Sequence, residues 1–530
     1  MSYNRRDFVK FFGGALAASQ IPMAGVLSSS CTQTSNKKNE LIIKDGWKAI
    51  SATAKDDLVL AEGLKAEMLI GWGDPINGTE KFGFNNDYTA FLPLNDSEDE
   101  ALFWVNHEYP NPLFVSDWER SKENAIKEKK EVGGSILHIK KDASGKWRLV
   151  ANSKYNKRLD GNSKIPFAAN VEIQGRGYGI GTFGNCAGGV TPWGTVLTCE
   201  ENYHDYYGEV DFYSKEKSDS RFKWEQYWPE NHPHHYGWVV EVDLKTGVAK
   251  KQTSLGRFAH ECATCIKAKD GRTVVYSGDD KNDEFIYKFI SDDKDSLDKG
   301  KLYVAQLETG NWLSLDINES PILKKKFKNQ LDVLIHCREA GKLLGATPCD
   351  RPEDFEIQPG TNNVFLTLTN NKPKGNFHGS ILKIEETDSN PLSLTFQSSA
   401  FAVGGDESGF SCPDNLIFDK SGNLWMVTDI SGSAMNKAPY KKFKNNGLFY
   451  FPMSGENAGK AFQIASAPVD AELTGLSFSK DKNTLFMSVQ HPGEKSKSLQ
   501  KLTSTWPHES NGLPRPAVVQ IQGPLLDKLT

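Results

Sequence analysis

The chain has 530 residues, 38% hydrophobic and 11% aromatic, enough to bury a large core in several domains or in one long all-β unit. Its 63 basic and 68 acidic residues leave a net charge of -5. That balance argues against nucleic acid as a partner, because nucleic-acid binders usually carry a basic excess.

The N-terminus reads M-S-Y-N-R-R-D-F-V-K, followed by a mostly apolar run over residues 11–27. A basic segment before a short apolar one is an export signal. Adjacent Arg5 and Arg6, with Phe8 and Lys10 behind them, fit the twin-arginine pattern, so residues 1–31 are expected to engage the twin-arginine export machinery. The protein is then expected in the periplasm, at the cell surface or outside the cell. The apolar run is too short, and too rich in Gly, Ser and Pro, for a good membrane span. Cys31 is a candidate lipid-anchor cysteine, although Leu27 lies one step too early for the usual pattern. Lipidation and plain cleavage both stay open, and membrane contact is expected only through such an anchor. Residues 32–45 read as a flexible tether, and residues 46–530 as a single domain, expected to be a monomer.

No long amphipathic helix pattern follows. Short strands bounded by turn residues recur instead. G-S-I-L-H-I at 134–139 returns as G-S-I-L-K-I at 379–384, with similar strands at 237–243, 284–289 and 447–451. Strand–turn–strand units read N-L-I-F-D-K-S-G-N-L-W-M-V-T-D at 415–429 and L-S-F-S-K-D-K-N-T-L-F-M-S-V at 476–489, and the turn at 142–145 joins a third such pair. Hairpins repeating every few tens of residues predict an all-β fold, a β-propeller of about six blades, with stacked sandwiches as the alternative. Charged inserts at 117–131 and 214–223, and the histidine cluster at 232–235, read as solvated loops.

Acidic residues gather where strands begin or end. The sets are N-H-E-Y at 106–109, L-T-C-E-E-N at 197–202, G-R-F-A-H-E at 256–261 and Y-S-G-D-D at 276–280, then D-R-P-E-D at 350–354, C-P-D-N at 412–415 and A-E-L-T-G at 471–475. Loops at one face of a propeller converge on the central channel. Carboxylates delivered there by different blades repel one another and are tolerated only with cations between them. Oxygen donors suit calcium, and carboxylates joined by His or Cys suit iron or zinc. Arg351 carries a planar fork suited to phosphate, or else pairs with Asp350 or Glu353. No G-x-S-x-G elbow and no H-E-x-x-H helix is present, so a metal-assisted nucleophile ranks above a serine. Seven cysteines follow Cys31, an odd number that leaves at least one thiol unpaired. Cys262-x-x-Cys265 has no second pair to complete a zinc site and reads as two packed strand residues.

Taken in order, these motifs resemble the PhoX-type alkaline phosphatases, which are secreted calcium- and iron-dependent enzymes. The resemblance rests on F-G-F-N-N-D-Y from Phe82, V-N-H-E-Y from Val105, G-N-C-A-G-G-V-T-P-W-G-T-V-L-T-C-E-E-N from Gly184, and Y-G-W-V-V-E-V-D from Tyr236. It continues through G-R-F-A-H-E, G-D-D-K-N-D-E-F-I-Y-K-F from Gly278, L-L-G-A-T-P-C-D-R-P-E-D from Leu343, L-T-N-N from Leu368, Thr474-Gly475, V-Q-H-P-G-E from Val489, S-T-W-P and P-R-P-A-V-V. The resemblance implies a six-bladed propeller with a calcium cluster and two oxo-bridged ferric ions, hydrolysing phosphate-ester small molecules. It implies that Cys186 is the iron thiolate, Glu261 an iron ligand and Glu353 a metal ligand, while Arg351 holds the substrate phosphate. Glu108, Glu200, Glu201, Asp279, Asp280, Asp414 and Glu472 lie in matching motifs and are expected to bind Ca2+ or Fe3+. Asp87 and His491 are weaker candidates. The chain departs from the family at C-P-D-N, where Ser-Pro-Asp-Gly is common, and in Cys199, Cys262, Cys265 and Cys349. Those departures leave a phosphodiesterase or lactonase-like hydrolase, or a metal-stabilised propeller without activity, as the competing readings.

Overall fold

The computed structural model describes residues 42–44 and 46–530. The twin-arginine signal, Cys31 and nearly all of the tether lie outside the described residues. Six antiparallel sheets of four or five strands are arranged in chain order around a ring. Their first strands are Asn86–Pro93, Asn185–Val190, Thr264–Lys267, Pro352–Ile357, Pro413–Phe418 and Glu472–Phe478. Each of these first strands contacts that of the next blade, and the sixth contacts the first. The fold is a six-bladed β-propeller.

The ring is closed by chain from the N-terminal side. Lys65–Gly71 pairs with Ala517–Gln522 to complete the sixth blade, and Val59–Leu60 pairs with Phe462–Ser466 at the edge of the fifth. Closure packs the sixth blade against the first, so no end blade leaves an apolar face open, while each sheet keeps only a short outer edge.

Blades are covered on both faces, so their middle strands read as continuous apolar runs bounded by turns. Leu424–Thr428 and Gly447–Phe451 are buried throughout. Trp425, Val427, Leu473 and Met487 join the fifth blade to the sixth in one core, and Val274, Ile286, Leu366 and Ile384 join the third to the fourth. The repeated strand pattern has a positional meaning. The runs at 134–139, 237–243, 284–289, 379–384 and 447–451 all fall on the third strand of a blade. The units at 415–429 and 476–489 are first-to-second-strand hairpins, whereas the turn at 142–145 joins a third strand to a fourth.

Two inserts expected in solvent are packed. Within 117–131, helix Lys122–Glu131 is N-capped by Ser121, whose hydroxyl accepts from the Asn124 amide. Its Glu128 is fully buried, taking Arg120 with both oxygens at 2.6 and 2.7 Å and the Trp224 indole N–H at 3.0 Å. Pairing, not exposure, satisfies that charge. The histidine cluster is also covered: His234 and His235 are buried, with the His235 Nε2 3.1 Å from the Ile173 carbonyl. Burial pushes the His235 imidazole down to about 4. The insert at 214–223 is mostly exposed, pinned by buried Ser220 and Phe222.

Candidate active site

In an antiparallel blade the first strand begins at the rim where the second strand ends. Five of the six blades therefore deliver paired side chains to one mouth of the channel, and the fourth delivers Arg351 and Glu353 from around the start of its first strand. The starts of the first strands supply Asp87, Cys186, Glu353, Asp414 and Glu472, with Glu261 just ahead of the third blade's strand. The ends of the second strands supply Glu108, Glu201, Asp280, Asp429 and His491. All of these line one cavity of about 310 Å³.

A repeated irregularity aims several of them. Pairing runs from Asn86–His107 to Thr89–Val105, so three steps on the first strand match two on its partner. The same shift spans Cys186, from Asn185–Glu200 to Gly188–Thr198, and it recurs around Glu353 and around Asp414. Such bulges break the strict alternation of a strand and re-aim a side chain beside a rim. Glycine sets the distance between the second and third blades. A Cβ on Gly189 would sit 2.0 Å from the Ala263 carbonyl oxygen, so only glycine allows this backbone approach. Across that junction the Cys186 thiol donates to Glu261 Oε1 at 3.0 Å.

Donor atoms of Asp87, Glu108 and Cys186 lie within 4.8 Å of one another, as do those of Cys186, Glu201 and Glu261. The sulfur is common to both groups. Gln490 Nε2 bridges Asp87 Oδ2 at 3.1 Å and Glu108 Oε2 at 2.9 Å, and Thr474 donates to Asp87 Oδ1 at 2.5 Å.

The electrostatics are those of a cation site. Burial pushes Asp87 up to about 7 and Glu108 up to about 8. Burial, then neighbouring carboxylates, raises Glu201, Glu261, Asp414 and Glu472 well above the usual carboxylate range. Burial and then the Asp87 charge lift the Cys186 thiol. Glu353 Oε1 and Oε2 are buried and accept no hydrogen bond, although the Arg351 Nη2 lies 2.6 Å from Oε1 as an ion pair. Converging carboxylates with unspent lone pairs, plus one thiol, fit hard cations and a thiophilic one together.

Arg351 reaches the same cavity from a left-handed backbone position, φ +55°. Its Nε and Nη2 donate to Asp280 Oδ1 and Oδ2 at 2.8 and 2.9 Å. Both oxygens of Asp280 are thus engaged by the guanidinium, so Asp280 clamps the arginine. Of the two partners considered for Arg351, Glu353 is in contact. Asp350 accepts from Asn371 and Asn376 instead, at 2.8 and 3.0 Å.

Two expected ligands are elsewhere. Glu200 lies in the blade interior, its Oε1 2.5 Å from the Lys251 ammonium and its Oε2 accepting from the Gly237 and Trp238 amides at 2.9 and 3.2 Å. Asp279 is gripped by Arg338 at 2.7 and 2.5 Å. Successive residues at a strand end point to opposite sides, so only the second member of Glu200-Glu201 and of Asp279-Asp280 reaches the cavity. The weaker candidates Asp87 and His491 do line it. Asp429, Tyr109, Asn202, Gln490, Glu494 and Lys495 were missed. Asp429 had a signal available: it ends a second strand just as Glu108, Glu201 and Asp280 do. All seven described cysteines are free thiols, and Cys199 is buried in its strand away from the cavity.

A propeller with this rim is matched by one protein family. The family described as Alkaline phosphatase PhoX matches residues 45–493. The chain belongs to the PhoX family. The PhoX of Pseudomonas fluorescens, solved in complex with the transition-state analogue vanadate, is 31% identical with a TM-score of 0.80, covering 90% of this chain and 98% of that one. Weaker structural matches include a Xanthomonas campestris gluconolactonase, 10% identical with a TM-score of 0.33, covering 84% of this chain and 97% of that one. A Dyadobacter fermentans protein of unknown function is 9% identical with a TM-score of 0.39, covering 87% and 100%. No curated protein matches the chain. As a PhoX-family alkaline phosphatase, the chain is a metal-dependent phosphoric monoester hydrolase.

Proposed function

We propose that the protein is an exported alkaline phosphatase that releases inorganic phosphate from phosphate monoesters at a calcium- and iron-bearing site in the propeller mouth. The observation that carries this reading is the pair of donor groups sharing Cys186 in a carboxylate-lined cavity that also holds Arg351. Asp87, Glu108, Cys186, Glu201 and Glu261 would hold iron, the thiolate supplying the soft donor. Glu353, Asp414, Asp429 and Glu472 would hold calcium through oxygen. When bound, these ions supply Lewis acidity, which neutralises phosphoryl charge and acidifies water near neutral pH.

The chain's own groups do the rest. Asp280 fixes the Arg351 fork, and the guanidinium N–H groups not spent on Asp280 and Glu353 are available to phosphoryl oxygens. Gln490 and Thr474 hold Asp87 and Glu108 in place, so these carboxylates are oriented before a ligand arrives. Buried walls limit water, which strengthens every charge interaction in the cavity.

Elemental analysis with activity on p-nitrophenyl phosphate tests this reading. Iron and calcium in the purified protein, with activity lost on chelation and restored by both metals, are expected. Full activity after calcium removal would overturn the calcium assignment, and absence of iron the thiolate assignment. Export follows from Arg5 and Arg6, and an Arg5→Lys, Arg6→Lys double variant is expected to stay in the cytoplasm in cell fractionation. Among the described residues no helix is long and apolar enough to cross a membrane.

A further inference from the structure

The cavity is graded in depth. Glu353, Glu261 and Asp414 are almost fully buried, at 2, 3 and 4% exposure. Towards the opening the lining changes to half-buried Asn202 and Ser431 and exposed Lys495. Arg351 and Lys495 are the two permanent cations among the described lining residues. Arg351 is tied to the deep carboxylates. Lys495 stands at the rim, its side chain 38% exposed.

Lys495 is fixed there by contacts that leave donors free. Its backbone N–H donates to Asp470 Oδ2 at 3.3 Å. Its stem lies against the backbone of Gly432, where a Cβ would sit 2.8 Å from the lysine Cε. Its ammonium is 2.7 Å from Glu494 Oε2, while Glu494 Oε1 accepts from the Tyr109 hydroxyl at 3.1 Å. Glu494 therefore uses one of three ammonium donors and orients the other two.

We propose that Lys495 is a specificity-determining residue that selects phosphate monoesters whose leaving group bears a second oxyanion, a carboxylate or a further phosphate. This rests on the phosphatase reading above. With the transferred phosphoryl group beside Arg351, the leaving group extends toward the opening, where an ammonium meets an oxyanion. An alcohol at that place gains no such charge contact. A half-exposed pair of this kind has a modest but measurable effect.

Two near-isosteric probes isolate the effect: 3-phosphoglycerate, which carries the extra carboxylate, and glycerol 3-phosphate, which does not. In the metal-loaded full chain, Lys495→Met is expected to lower the ratio of their kcat/KM values about fivefold, chiefly through KM for 3-phosphoglycerate. Lys495→Arg is expected to keep the ratio within twofold of the unaltered protein. A ratio unchanged in Lys495→Met, or lowered as far in Lys495→Arg, would overturn the proposal. Failure of the underlying reading looks different: the unaltered, metal-loaded protein would hydrolyse neither probe nor p-nitrophenyl phosphate. Lys495 is rim-exposed, and a melting curve for each variant separates lost folding from lost selectivity.

Discussion

At the scale of single residues, the site depends on side chains held by partners far away in sequence. Arg351 is oriented by Asp280, 71 residues earlier, and Cys186 meets Glu261 75 residues on. Replacing Arg351 with Ala removes the phosphate fork, leaves Asp280 unpaired and takes the ion pair from Glu353, while every proposed metal donor stays in the chain. The expected result is a fall in kcat/KM on p-nitrophenyl phosphate of about 10²–10³-fold, with iron and calcium content retained. Steady-state kinetics and elemental analysis on the same sample check this, and an unchanged kcat/KM would remove Arg351 from the reaction. The acidic pairs show where sequence reading reaches its limit. Glu200 and Glu201 look equivalent in L-T-C-E-E-N, yet one is held in the blade by Lys251 and the other faces the cavity. Composition and position identified the carboxylate-rich strand ends. Facing is decided by register against the neighbouring strand, and that contact is non-local.

At the scale of elements, the second blade shows how local geometry is secured. Lys251 and Glu200 are both fully buried, and the carboxylate also accepts two backbone amides. A buried ion pair adds little over an apolar isostere, but removing one partner strands a charge. Lys251→Met is therefore expected to destabilise the protein by about 3–5 kcal/mol, read as a lower denaturation midpoint in urea. A double replacement with Glu200→Gln is expected to recover much of that loss. A single variant as stable as the unaltered protein would show that Glu200 is neutralised by other means. The bulges that aim Asp87, Cys186, Glu353 and Asp414 were not legible in the sequence, because an extra residue in a strand looks like any other residue until its partner strand is known. The junction with the next blade is equally non-local: Gly189 admits the carbonyl of Ala263.

At the scale of the whole molecule, closing six blades concentrates like charge at one point. In the metal-free protein Asp87 is held up at about 7 and Glu108 at about 8, against an unfolded carboxylate value near 4. Above about pH 4 the folded chain then binds more protons than the unfolded chain, so stability falls as pH rises through about 8. Chelated protein is expected to melt at a lower temperature at pH 9 than at pH 5, and reloading with calcium and iron is expected to flatten that slope. Melting curves at both pH values, with and without metal, decide it, and a chelated protein equally stable at both would contradict the crowding of charge.

Short strands repeating between turns favoured a propeller over stacked sandwiches, and the acidic strand ends were visible because charge beside an apolar run is a local pattern. The ordered motifs of the sequence also pointed to the family. Which of two adjacent acids faces the channel, which carboxylate clamps Arg351, and that the Cys186 thiol lies between two donor groups emerge only in the folded chain. Those facts depend on strand register and on blades meeting across tens of residues, and a one-dimensional pattern does not encode that distance.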